Sequence, residues 1–286
     1  MQMEEYISRA LEGKTKSENP FYCLSCGGPG SGKGLPAAIL KYQGYNNFVL
    51  IDKHIMDGYP EYEKIKHKHL HPEKVADMVQ EYYRRATNIV VEAAKQGISI
   101  IFEDHGDCRE IYKKHIIICK SENYETFLTE TTCAITPLRK LASILSQQNG
   151  FPDMKDWRES YHRRILNSSN ELKKLFDHGV LLEKVPDIKE GGHASFNKLS
   201  HFTCSNGKVN EEIIDEEGHK RYKEWEKIRI TPEYKAYFAR VDAALGRQKN
   251  DDQTHYSEKN YGGRTERGFL TSILDTDKQD IAYGRQ

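Results

Sequence analysis

The residues Gly27-Gly28-Pro29-Gly30-Ser31-Gly32-Lys33 have the spacing G-x-x-x-x-G-K. Glycines at such spacing let successive backbone N–H groups close around phosphate oxygens, and the lysine brings a mobile positive charge to the outer phosphates. A helix opening directly after the loop would add the positive end of its dipole. Gly28, Pro29, Gly30, Ser31, Gly32, Lys33 and Gly34 are therefore the candidate nucleotide-binding residues. The chain departs from the pattern at Gly34, where a Ser or Thr hydroxyl ordinarily ligates Mg²⁺, and Leu35 and Pro36 bring no substitute.

Two acidic stretches belong to the same chemistry. Asp52-Lys53-His54 and Glu103-Asp104-His105 each follow a short apolar run. In a parallel sheet both would end on the rim that carries the glycine loop. Acids beside a phosphate loop form the layout of a phosphoryl-transfer site. Asp52 and His54 are candidate proton acceptors, and Asp52, Glu103 and Asp104 are candidate holders of Mg²⁺. Developing negative charge calls for a further cation. Arg158, Arg163 and Arg164 lie just after the break Asn149-Gly150-Phe151-Pro152, which reads as a lid hinge, and Arg139 is an outlying candidate. Of these, Arg158 and Arg163 are taken as catalytic.

The elements that must position these residues follow from pattern. Short apolar runs predict strands over Phe21–Cys26, Asn47–Asp52, Ile98–Phe102, Tyr124–Ile135 and Val180–Val185. Between them, helices are expected over Glu4–Leu11, Lys33–Tyr42, His71–Lys95, Asp107–Ile118, Pro137–Gln148 and Trp157–Phe176. The alternation predicts an α/β fold on a parallel sheet. Past Ile188 the pattern weakens to two helices, Asn210–Glu226 and Thr231–Arg247. A polar, mobile tail is expected from Lys249. The division read from this is 1–187 as the nucleotide-binding domain, 188–248 as a helical extension packed on it, and 249–286 as the tail.

Composition narrows the class. The 286 residues carry 43 Lys plus Arg against 43 Asp plus Glu, so no net charge advertises a nucleic acid or a membrane surface. No apolar run is long enough to span a bilayer, and no signal-peptide core opens the chain, which reads as cytoplasmic. Cys23 and Cys26 form a C-x-x-C, but residues three apart on a strand face opposite sides, so a structural role is expected. The remaining cysteines, Cys108, Cys119, Cys133 and Cys204, have no metal-ligand spacing. His67, His69 and His71 alternate in a basic stretch that reads as a solvated loop.

With these residues in place, the chain resembles the zeta toxin family of P-loop kinases. The likeness runs from about Pro20 to Val185, through PFYCLSCGGPGSGKG, VLIDKHIMDGYPEYEKI, GISIIFEDHGD, NYETFL and NSSNELKKLFDHGVL. Tyr59-Pro60-Glu61-Tyr62 stands where the family has H-P-x-Y, and His54 stands where it has its proposed base, the second Asp of I-D-x-D. The resemblance implies a P-loop kinase-like three-layer fold, with Lys33 as phosphate lysine and Glu103 and Glu125 as substrate-binding acids. It implies ATP or GTP with Mg²⁺ as cofactors and a hydroxyl of a small nucleotide-containing metabolite, such as a UDP-amino sugar, as acceptor. It further implies an antitoxin partner, or host cytosol as the site of action if the protein is a secreted effector. Two other readings stay open: a nucleotide-binding protein without transfer activity, given Gly34 and His54, and a nucleoside monophosphate kinase.

Overall fold

The computed structural model describes residues 3–57, 59, 62, 72–136, 138, 139, 155–185 and 195–251. A seven-stranded sheet runs through them in the order β2-β3-β1-β4-β5-β6-β7. Its strands are β1 (Phe21–Gly27), β2 (Phe48–Ile51), β3 (Ser99–Asp104), β4 (Glu125–Cys133), β5 (His178–Val185), β6 (Ser195–Ser205) and β7 (Lys208–Ile213). The first five are parallel, and β6 and β7 join antiparallel. The helices are α1 (Met3–Leu11), α2 (Leu35–Tyr42), α3 (Pro72–Lys95), α4 (Arg109–Ser121), α5 (Lys155–Lys173), α6 (Glu216–Lys223) and α7 (Pro232–Asp251).

Period-two alternation divides the core into two faces. Phe21 and Cys23 of β1, Ile101 of β3 and Phe127 of β4 pack with Leu35, Ile39 and Leu40 of α2. Tyr22, Leu24 and Cys26 of β1 pack on the other face with residues of α3, α4 and α5, such as Ile89, Tyr112 and Leu172. Helix layers thus cover both sides of the sheet. Cys23 and Cys26 fall on opposite faces and are free thiols, as their spacing requires.

The main departure from expectation lies past residue 188. Helix was expected over Asn210–Glu226, but β6 and β7 form a hairpin that extends the sheet, and α6 begins only at Glu216. The turn is Asn206-Gly207, with both residues at positive φ (51° and 73°), the two-residue connection that matches strand twist. The extension is therefore not helical throughout. The sheet is correspondingly mixed rather than wholly parallel. The hinge at 149–152, the histidines 67, 69 and 71, the helix from residue 140 to 148 and the tail from 252 lie outside the described residues, as do Pro60 and Glu61.

A third buried cluster ties the extension to the core. Leu181, Leu166 and Cys133 meet Leu199, Tyr222 and Trp225. Trp225 donates its indole N–H to the Cys133 carbonyl (3.0 Å), and Arg221 grips Glu183 through two hydrogen bonds.

Candidate active site

The glycine loop leaves β1 at Gly27 and enters α2 at Leu35. Gly34 caps the helix without a side-chain hydrogen bond, and Pro36 sits in its first turn, where a missing N–H is harmless. Ser31 N–H turns back to the Gly28 carbonyl (3.1 Å). The N–H groups of Gly30, Gly32, Lys33 and Gly34 find no acceptor among the described residues. Four free donors at a helix start form a concave anion site.

Packing explains two of the glycines. A Cβ on Gly28 would stand 2.3 Å from the His162 ring of α5. Gly32 has φ +96°, and a Cβ there would stand 2.8 Å from the Phe196 ring of β6. His162 is itself held flat against Trp225, with ring centroids 4.4 Å apart. Its Nε2 lies 3.4 Å from the Pro29 carbonyl. Burial pulls its pKa down to about 3, so it is neutral. These walls of the loop escaped the sequence reading, because nothing local links His162, Trp225 or Phe196 to residues 28–32. The loop's own hydroxyls are engaged. Ser25 donates to the Lys33 carbonyl, and Ser31 bonds Thr131 (2.8 Å).

Alternation decides which acids face the loop. Asp52 ends the Phe48-Leu50 face and Glu103 the Ser99-Ile101 face, both on the side of α2. Burial, and after it the nearby Asp52 charge, push Glu103 up to about 7, against the pull of Lys33, Lys41 and His54. Lys33 makes no hydrogen bond or ion pair among the described residues. Burial lowers its pKa, while Asp104 and Glu103 act in the opposite sense. Asp52, Glu103 and Lys33 therefore share one electrostatic neighbourhood at the carboxyl ends of β2, β3 and β1.

The remaining candidates lie differently. Asp104 turns to the opposite face, where one oxygen accepts from Tyr83 (2.5 Å) and Tyr112 (2.6 Å). Asp52 accepts from the His54 N–H (2.8 Å), while the His54 ring, 65% exposed, bonds Asp57 (2.9 Å). Glu125 is a correction. It opens β4 beside Phe21, at the amino end of the sheet, and pairs with His178 (3.1 Å). Six residues of strand, roughly 20 Å, separate it from the loop's rim. Arg163 donates to the Trp225 carbonyl, Arg164 is held by Asp107 and Asp242, and Arg139 by Glu159. Arg158 stands one helical turn before His162, and its buried Nε has no partner. Among the described residues no group of three or more His, Cys, Asp or Glu is arranged to hold a metal.

Comparison with known proteins bears on the fold. The family model described as Zeta toxin matches residues 7–134, from α1 to the end of β4. These residues are similar to the zeta toxin family. Among solved structures, the zeta toxin-like chain is similar to one from the PezAT chromosomal toxin–antitoxin system of Streptococcus pneumoniae. Identity there is 14%, coverage is 87% of this chain and 97% of that one, and the TM-score is 0.50. A chain of the AvrRxo1-ORF1:-ORF2 complex with ATP is similar at 13% identity and TM-score 0.48, covering 86% of this chain and 82% of that one. No curated protein sequence matches significantly. The fold is that of a P-loop kinase-like zeta toxin, and the zeta toxins are kinase-like phosphotransferases. Among the described residues no helix is long and apolar enough to cross a membrane.

Proposed function

We propose that this protein transfers the terminal phosphoryl group of ATP or GTP to a hydroxyl of a small nucleotide-containing metabolite, such as a UDP-amino sugar. The observation that carries the reading is the loop itself. Four backbone N–H groups and a lysine, unpaired among the described residues, stand at the carboxyl end of β1 in the electrostatic neighbourhood of Asp52 and Glu103.

The donor's outer phosphates lie against the loop amides and Lys33. Arg158, the one arginine of its group with a buried unpartnered nitrogen, faces the developing charge. Glu103 accepts the hydroxyl proton, since a carboxylate near 7 is matched to that task at neutral pH. Burial, and after it the Asp52 charge, holds Glu103 in that range, and Asp52 orients the acceptor. His54 is bound to Asp57 on the surface and takes no part.

The donor set suits Mg²⁺ that keeps water and phosphate oxygens as most of its ligands, because Gly34 has no hydroxyl and Ser25 and Ser31 are occupied. Asp52 would approach it through water, and Mg²⁺ would supply neutralisation of the transferring phosphoryl charge. The missing hydroxyl also favours a second reading, in which nucleotide binds without transfer. The PezAT likeness supports an antitoxin as protein partner, and free cysteines support action in the cytoplasm.

Incubation with γ-labelled ATP and a metabolite extract tests the reading. Label should enter a nucleotide-sugar fraction with the wild type and His54→Ala. It should fail with Lys33→Ala and Glu103→Gln, the latter still binding ATP. ATP binding without any labelled product selects the binding-only reading, and labelled nucleoside diphosphates would select a monophosphate kinase instead.

A further inference from the structure

Lys184 is the next-to-last residue of β5 and pairs in register with Cys133 at the end of β4. Its stem passes 3.7 Å from the place of a Cβ on Gly32, beside the Phe196 ring. Among the described residues its ammonium has neither hydrogen bond nor ion pair. The acid next to it in sequence, Glu183, is taken by Arg221. A second candidate cation, Arg158, has its own buried unpartnered nitrogen. Both act on the Cys133 thiol, so they stand on one side of the loop. Lys33 instead stands with the acids of β3.

The strand order β3-β1-β4-β5 puts these charges on opposite flanks of the glycine loop. Cations half withdrawn from water without counter-charge are costly, and an anion lying between them removes the cost. A phosphate chain laid across the loop meets Lys33 and Glu103 at its transferring end. Its other end then reaches β5. We propose that Lys184 is a donor-binding residue that holds the phosphate adjoining the nucleoside. The assignment rests on the donor reading given above and names the part of the donor that β5 grips.

Calorimetric titration of the full chain with ATP, ADP and AMP tests it. Lys184→Met should weaken ATP, ADP and AMP to a similar extent, about tenfold, because all three carry that phosphate, and a loss for ATP and ADP with none for AMP overturns the assignment. Lys184→Arg should retain most of the affinity, with unfolding midpoints unchanged in both variants. Lys184→Gln serves in place of Lys184→Met if that chain fails to fold. Wild-type affinity for ATP in the neutral variants overturns the proposal and leaves the donor reading intact. A loss for ATP with none for ADP also overturns it, since Lys184 would then serve the transferring end. Failure of the wild-type protein to bind any of the three overturns the donor reading itself.

Discussion

Glu103 and Asp104 are neighbours in sequence with opposite fates. One faces the glycine loop beside Lys33, and the other is fixed by two tyrosine hydroxyls across the sheet. Alternation along β3, set by Ile101 and Phe102, already separates them, so this much of the site is legible from sequence. The cost of holding Glu103 ready is a stability effect. Its pKa is raised to about 7 from 4.5, so its contribution is fully present below about pH 4.5 and is lost as pH rises through 7. In the ligand-free protein at pH 7.5, Glu103→Gln should therefore raise stability by about 2 kcal/mol while abolishing transfer, a value reduced for partial solvent exposure. Urea unfolding of the two proteins at pH 7.5 and pH 4.5 provides the check. The gain should vanish at the lower pH, and a gain of equal size at both would refute the ionisation as its cause.

At the scale of elements, local signals located β1, the loop and β3, where apolar runs end in glycine or acid. They were weakest for β6 and β7. The segment Lys208–Ile213 contains two consecutive glutamates and is exposed along most of its length, so neither apolar alternation nor strand propensity marked it. The Asn206-Gly207 turn was the available signal. The loop's walls could not be read at all, because His162, Phe196 and Trp225 meet it only through tertiary packing. Trp225 is the key to that packing, stacked on His162 and bonded to the end of β4. Trp225→Ala should cost about 3–5 kcal/mol, as large buried aromatics do. Below its lowered melting temperature the variant should bind ATP more weakly than wild type, because His162 no longer has a fixed seat over Gly28. Melting curves combined with ATP titration at low temperature decide this, and a folded variant with undiminished affinity would show that the wall is dispensable.

For the whole molecule, acid response is a contest between buried groups. His105, His115 and His162 are neutral, each pulled down to about 3 by burial, so each costs stability as pH falls below its unfolded value near 6.5. Glu103 and Asp104, raised by burial to about 7 and about 6, act with the opposite sign until their unfolded values near 4 are passed. Two acids offset only part of the three histidines' slope from about pH 6 to pH 4.5, and below that the histidines act nearly unopposed down to about pH 3. Stability should fall gently over the first interval and steeply over the second. Denaturant midpoints across pH 3.5–7 measure it, and a slope that does not steepen below about pH 4.5 would contradict the assignment. The placement of His162 has a further effect in time. The phosphate loop lies within the first 34 residues, yet its walls come from residues 162, 196 and 225. Contacts so distant in sequence form late. On the ribosome, a growing chain therefore carries its glycine motif without the cradle until residues 162 to 225 have emerged.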